Sequence, residues 1–257
     1  MQIGNPNSHP AVMAAHTPEA VRIRLRANGT RGYLRDLVYG AVDGTVTTFA
    51  VVSGVAGANL PARLVIVLGL ANVLGDGFSM AIGNFLATRA EQQLFERARR
   101  TEELHVARVP DGEAEEVRQI YAAKGFAGEA LEHAVRVITS ERGRWIETML
   151  REELGLTPAG LSPRRAAAAT FVAFIVAGLV PLLAFAFALT GLSPAINPFR
   201  CSVAMTAIAF FAIGALKGRF VEQSWYRGGL EVLAVGGGAA ALAFAVGLLL
   251  KDVGVPG

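Results

Sequence analysis

Two aspartates interrupt stretches of this sequence that are otherwise apolar. Asp43 lies in "GAVDGTVTTFAVVSGVAGA", and Asp76 lies in "LANVLGDGFSMAIGNF". An ionised side chain within a membrane-spanning helix costs about 2.5–3.5 kcal/mol on insertion scales, so such residues generally serve a function. Asp76 lies near the middle of its apolar stretch and is the clearer of the two. Asp43 is also compatible with an interfacial residue that bonds to neighbouring backbone.

The residues around Asp76 form a stripe of potential ligands. Asn72, Asp76 and Met80 follow one another at intervals of four, which places them along one face of a helix. Carboxylate and amide oxygens suit hard cations such as Mn²⁺, and a thioether favours Fe²⁺ over Mg²⁺ or Ca²⁺. Met80 taken alone is more simply a packing residue, but the stripe as a whole indicates a divalent transition metal.

A charged block follows these apolar stretches and carries a second set of candidate ligands. Between Arg89 and Arg165 the chain holds 14 of its 21 acidic and 13 of its 24 basic residues, and we predict three helices there. Side chains three or four positions apart can present donor atoms from one helical face. The candidates are Glu102, His105, Glu113, Glu116, Met149, Glu152 and Glu153. From spacing alone, solvated helices held by Glu and Arg pairs are the commoner explanation.

Five apolar segments are long enough to cross a bilayer, which takes about 20 residues of helix. They run near residues 37–58, 62–87, 166–190, 199–216 and 229–250. The sequence, 53% hydrophobic, therefore predicts an all-α integral membrane protein with a three-helix domain inserted between helices two and three. The predicted division is a basic amino-terminal segment at 1–36, two spans at 37–87, the inserted domain at 88–165 and three spans at 166–257.

Lysine and arginine are concentrated in alternate connections. The amino-terminal flank, the charged block and the connection after the fourth span carry most of them, and positive connections remain cytosolic. We therefore expect a cytosolic amino terminus and inserted domain, with the carboxyl terminus outside. The arginine-rich flank abuts a span, so a membrane surface is expected there and a nucleic acid is not. One cysteine excludes an intramolecular disulfide, and no catalytic motif predicts an enzyme.

From about residue 31 to the end, the sequence resembles the vacuolar iron transporter family. The resemblance rests on the two quoted stretches around Asp43 and Asp76, on the charged insertion that ends in "MLREELGL", and on the three spans that follow it. The resemblance implies a dimer with an ion path between subunits, lined by the first two spans. It also implies export of Fe²⁺, and often Mn²⁺, from the cytosol in exchange for protons, with a cytosolic domain that captures the metal. By position, the path ligands correspond to Asp43 and Met80, and the domain ligands correspond to Glu102, Glu113, Glu116, Met149 and Glu153.

Two positions depart from the family pattern. Asn72 stands where that pattern has a glutamate, and Asp76 follows one turn later, so the charge has moved along the helix. His105 also replaces a glutamate; it is a competent Fe²⁺ or Zn²⁺ ligand, but its charge depends on pH.

These observations predict a divalent-metal/proton antiporter with no permanently bound cofactor. Its partners are metal ions, protons, membrane lipid and a second copy of the chain, and its Ala-, Gly- and Arg-rich composition favours a bacterial plasma membrane. A carboxylate that binds either a proton or a metal couples the two ions at one group. The alternatives are a membrane-tethered iron-binding or iron-oxidising module that uses Glu102-x-x-His105, and a metal sensor across which nothing moves.

Overall fold

The computed structural model describes residues 13–14, 16–26, 32–158, 160, 162–189, 197–221 and 223–251. Within these ranges the chain forms helices and no strands. The helices are α1 (Pro18–Arg26), α2 (Gly32–Gly57), α3 (Ala62–Arg108), α4 (Pro110–Ala123), α5 (Gly128–Thr139), α6 (Arg142–Glu152), α7 (Pro163–Leu189), α8 (Pro198–Phe220) and α9 (Trp225–Leu250).

Five of these helices, α2, α3, α7, α8 and α9, are long and apolar enough to cross a membrane. The predicted all-helical class and five candidate spans are therefore confirmed. The first span begins earlier than predicted, since α2 starts at Gly32, and α3 continues well beyond the second apolar segment. The connection at 191–196 and the tail at 252–257, which entered the prediction of orientation, lie outside the described residues, as does half of the amino-terminal segment.

The chain divides into two compact units. We call Met1–Asn84 with Arg164–Gly257 the membrane unit, and Phe85–Pro163 the polar unit.

Glycines let the helix backbones of the membrane unit approach closely. A Cβ atom added at Gly40 would lie 2.5 Å from the carbonyl oxygen of Thr170, and one added at Gly44 would lie 2.4 Å from that of Phe174. Because the residue numbers rise in the same direction on both helices, from Gly40 to Gly44 and from Thr170 to Phe174, α2 and α7 run parallel along this contact. Small residues at such contacts are characteristic of membrane helices, for which lipid provides no hydrophobic driving force.

The outer surface of the membrane unit carries large apolar side chains. Ile208, Leu242 and Leu249 are all at least 70% exposed, whereas Val52 and Phe210 are buried in the core. In a lipid bilayer these exposed apolar side chains would contact lipid tails, so burying them would give no hydrophobic gain.

The polar unit has its own apolar cluster, formed by buried side chains of α4, α5 and α6. Its members are Val117, Val135, Ile138, Trp145 and Met149. The last part of α3, from Phe85, also belongs to this unit. This cluster gives the short helices a common interior.

The third helix predicted for the charged block is wrong as a single element, because it consists of α5 and α6. The break lies at Ser140 and Glu141, where Glu141 is extended, with φ −132° and ψ 116°. Ser140 Oγ and Arg144 Nη1 both donate to the Val137 carbonyl oxygen, at 2.8 and 2.7 Å. Local bonds from serine to nearby carbonyls compete with the helix, and here they end it.

Candidate metal centre

Three side chains of the polar unit converge on one point. Glu102 and His105 lie one turn apart on α3, and Glu113 lies in the first turn of α4. One potential ligand atom from each lies within 4.8 Å of the other two. His105 Nδ1 is 3.2 Å from Glu113 Oε1. Two carboxylates and an imidazole at this separation can hold one divalent ion.

The local sequence explains why Glu113 meets the other two. The chain leaves helical geometry at Val109, with φ −133° and ψ 51°, and Pro110 then opens α4. Proline is favoured at this first position, where its missing N–H is not needed. The amide of Glu113 bonds to the Val109 carbonyl at 3.2 Å, which fixes the first turn of α4.

The two carboxylates are almost completely buried, and within the described part of the chain the basic side chain in contact with Glu113 is His105. Glu102 is 4% exposed and Glu113 is 3% exposed. Their Oε2 atoms are buried and make no hydrogen bond. A buried charge without a full set of partners is costly. A bound divalent ion would give these two oxygens the partner they lack, which makes the group a candidate metal site.

The surroundings of Glu113 disfavour its negative charge more than they favour it. Burial raises the pKa of Glu113 first, and the charge of Glu116 raises it further, whereas His105 acts in the opposite direction. Glu116 is exposed on α4, three residues beyond Glu113. A divalent cation would reverse the effect on the pKa by favouring the ionised form.

Glu153 belongs to this charged neighbourhood as well. It follows the end of α6, where its surface is exposed. Partial desolvation raises the pKa of Glu153 first, followed by the charges of Glu116 and Glu102, while His105 lowers it. Four carboxylates and one histidine are therefore close enough to affect one another.

The remaining two predicted ligands of the domain lie in different surroundings. Met149 is fully buried in the apolar cluster, which also contains Val117. Val117 lies one turn beyond Glu113 on α4. Glu152 forms an ion pair with Lys124, which ties α6 to α4. The structure thus groups Glu102, His105, Glu113, Glu116 and Glu153, and it directs Glu152 to another partner.

The predicted ligands of the spans lie in the membrane unit. Asp43 is half-buried on α2, and its charge interacts with that of Asp76 on α3. Asn72 Nδ2 is 3.5 Å from Thr47 Oγ1, and Thr47 Oγ1 donates to the Asp43 carbonyl at 2.9 Å. This chain of contacts links the predicted stripe on α3 to α2.

The other two positions of the stripe differ in exposure. Asp76 is exposed in the single chain, and Met80 is partly buried. The predicted carboxylates of the two spans are therefore near each other, with one of them open on the surface of the protomer.

Sequence reasoning missed one buried carboxylate. Asp36 is 4% exposed on α2, although the prediction placed it at the end of the basic flank. Its spacing of seven residues from Asp43, which repeats one helical face, was the available signal.

Comparison with known sequences identifies the family. A profile described as the VIT family matches residues 34–248. The chain belongs to the VIT family. This VIT-family chain is 33% identical to "Vacuolar iron transporter 2" of Oryza sativa subsp. japonica over 223 residues, which cover 86% of the chain and 88% of that relative.

Other relatives carry similar names. "Vacuolar iron transporter" of Toxoplasma gondii is 32% identical, with 88% of this chain and 77% of the relative covered. "Vacuolar iron transporter 1" of Arabidopsis thaliana is 30% identical, with 85% and 86% covered. Transporter relatives and five apolar helices indicate an integral membrane protein that moves metal, consistent with the expectation that it is not an enzyme. The resemblance to this family is thereby confirmed.

Proposed function

We propose that this chain exports Fe²⁺, Mn²⁺ or both from the cytosol in exchange for protons. The observation that carries the proposal is the interaction of two carboxylates, Asp43 and Asp76, inside the membrane unit. A protein that only binds metal in its polar unit has no use for charges within its spans, where they are costly. The names of its relatives support iron as one substrate.

The polar unit supplies the capture step. Glu102, His105 and Glu113 bind the ion first, with Glu116 and Glu153 increasing the local negative charge. Each ligand must be deprotonated to bind, so metal capture releases protons on that side. Met149 lies in the neighbouring apolar cluster and makes its thioether available only if the cluster rearranges.

The spans supply the exchange step. Asp43 binds the ion, assisted by the stripe of Asn72, Asp76 and Met80, and accepts a proton when the ion leaves. One carboxylate cannot hold the proton and the metal at once. Transport of the two ions in opposite directions follows from this exclusion.

The exposure of Asp76 supports a homodimer. This carboxylate is open on the surface of a single chain, in a segment that is otherwise apolar. Contact of that surface with lipid would leave a charge unsolvated, whereas a second copy of the chain would enclose it in a polar path. We place the path between two subunits for this reason.

The distribution of lysine and arginine supports a cytosolic amino terminus and polar unit, with the carboxyl terminus outside. The relatives are named vacuolar, and the composition of this chain favours a bacterial plasma membrane. In either membrane, the transporter would take its metal from the cytosol.

The test is anaerobic uptake of Fe²⁺ and Mn²⁺ into proteoliposomes under an imposed pH gradient, with internal pH recorded. Asp43→Ala and Asp76→Ala should abolish uptake and its matching proton movement. Asp111→Ala removes an exposed carboxylate outside the predicted sites and serves as the matched control. Retained uptake in both span variants would remove the mechanism.

Metal binding by the full-length protein in detergent completes the test. It should survive in Asp43→Ala, because the polar unit is untouched. Absence of uptake in the wild type, with binding retained, would identify a tethered binding module or sensor. Oxygen-dependent Fe²⁺ consumption would separate an iron-oxidising module from a sensor.

A further inference from the structure

An open groove lies between α2 and α9, near the carboxyl ends of both helices. Its volume is about 580 Å³, within the range of about 300–1,000 Å³ that is typical of small-ligand sites. Small residues of both helices line it, namely Ala50, Gly54, Ala243 and Gly247. The predicted metal ligands are not among the lining residues, so the transport mechanism above leaves this groove without a role.

The small residues explain both the helix contact and the space beside it. A Cβ atom at Gly247 would lie 2.1 Å from the Gly54 carbonyl oxygen, so the two backbones touch there. Beside this contact, Ala50 and Ala243 each contribute a single methyl group to the lining. Packing within the protomer therefore forms the groove without filling it.

The larger side chains that line the groove are apolar and open to the surroundings. Leu60, Val246 and Leu250 are 44%, 53% and 55% exposed. Because α2 and α9 are both candidate membrane spans, lipid tails are the apolar partner available at this surface. An acyl chain is therefore the ligand that suits most of the lining.

Lys251 adds one positive charge to this apolar lining. It follows the last residue of α9 and is exposed. Within the described part of the chain, no acidic residue lines the groove, and Lys251 forms no ion pair. A lysine in this setting lays its apolar stem along the lipid-facing surface and holds its ammonium group at the membrane interface, where phospholipids carry their phosphate groups.

The end of α2 has hydrogen bonds of its own. The chain turns at Asn59, where φ is 56°, and the amides of Asn59 and Leu60 donate to the carbonyl oxygens of Ala56 and Val55, both at 3.1 Å. This arrangement satisfies the last carbonyls of a helix from within the turn that follows it. These two oxygens of α2 therefore have donors without Lys251.

We propose that the groove binds one acyl chain of an anionic phospholipid, whose phosphate group pairs with Lys251. The charge favours this ligand over a second copy of the chain, because a two-fold contact centred on the groove would bring the same lysine of each copy together. The proposal does not depend on metal or proton transport.

The first experiment measures lipid binding to the full-length protein in detergent by native mass spectrometry. Phosphatidylglycerol and phosphatidylcholine with identical acyl chains are the two probes, so only the headgroup differs. The wild type should retain phosphatidylglycerol about fivefold more strongly, the ratio expected from one lysine at an anionic headgroup. Lys251→Gln should remove this preference, and Lys251→Arg should keep it.

Two further variants separate the groove from the rest of the surface. Arg63→Gln removes another exposed cation from the same end of the membrane unit and should leave the preference unchanged. Ala243→Phe places a ring in the groove and should reduce retention of both lipids. Equal retention of the two lipids by the wild type, or an unchanged preference in Lys251→Gln, would overturn the proposal.

The second experiment asks whether another copy of the chain covers the groove instead. Val246→Cys in a Cys201→Ser background places the one cysteine on the lining of the groove. Under oxidation in the membrane this variant should remain uncrosslinked. Efficient formation of a covalent dimer through residue 246 would assign the groove to an interface between subunits and overturn the lipid site.

Discussion

The two regions that hold the candidate ligands differ in how their helices pack. The polar unit is held by side chains, with an apolar cluster and ion pairs such as Arg118 with Glu132 and Lys124 with Glu152. The membrane unit has a buried apolar core as well, but its helices also make close backbone contacts, as where a Cβ at Gly247 would lie 2.1 Å from the Gly54 carbonyl oxygen. Solvent explains the difference, because water drives apolar side chains together and lipid does not.

This contrast has a consequence for function. The arrangement of the candidate ligands in the polar unit depends on which side chains face one another, so single side-chain changes should act locally there. The arrangement of the candidate ligands in the spans depends on the positions of whole helices, so a larger residue at a helix contact should disturb it even from a distance.

The largest effect is expected from removing a central ligand of the polar unit. Glu113→Gln should weaken binding of Mn²⁺ to the full-length protein at least about tenfold, because it removes a buried anionic ligand. Glu152→Gln is the matched control and should leave binding unchanged, since Glu152 faces Lys124. Calorimetry in detergent measures both, and an equal loss in the two variants would contradict the grouping described here.

The next effect concerns the membrane unit. Gly247→Ala should destabilise the protein by about 1–3 kcal/mol, because the new methyl group meets the backbone at Gly54. Gly237→Ala on the same helix meets nothing within 4 Å and should not destabilise it. Thermal unfolding of both variants in detergent checks this comparison, and equal unfolding temperatures would show that close backbone contact is not what holds this unit.

A smaller effect is expected in the pH dependence of stability, which should differ between the metal-free and the metal-bound protein. Because the pKa values of Glu113 and Glu153 are raised in the folded protein, folding favours their protonated forms. Their contribution to stability is therefore present at acidic pH and is lost as pH rises through the raised values. Without metal, the unfolding temperature should therefore be higher at acidic pH, where these carboxylates are protonated, than at neutral pH.

Bound metal should cancel or reverse this pH effect, because it favours the ionised carboxylates. Glu113→Gln should reduce the effect in the metal-free protein. Calorimetric scans at several pH values give the measurement, and higher stability near pH 7 in the absence of metal would contradict the assigned burial.

The smallest effect is expected at the surface of the polar unit. Lys124→Ala breaks the pair with Glu152, and both side chains are partly exposed. Such pairs contribute between about 0 and 1 kcal/mol, so stability should fall by less than that amount and metal binding should persist. A tenfold loss of binding, measured by the same calorimetry, would show that Glu152 also serves the metal site.

The helices and part of the site could be predicted from the sequence. Glu102 and His105 are three residues apart, so helix geometry alone places them on one face. The break between α5 and α6 could not be predicted in this way, since it depends on bonds that Ser140 and Arg144 make to one carbonyl oxygen. The close approach of α2 to α7 could not be predicted either, because it joins Gly40 and Thr170, which lie far apart in the sequence.

The sequence by itself determined the five candidate spans and indicated which types of side chain could serve as ligands. In lipid the backbone must satisfy its own hydrogen bonds, so a spanning segment needs a long apolar helix, and its length and composition are visible in the sequence. Only the tertiary structure decided that Glu113 meets Glu102 and His105, that Glu152 pairs with Lys124, and that Met149 lies in an apolar cluster. These choices depend on contacts between different helices, which no local spacing specifies.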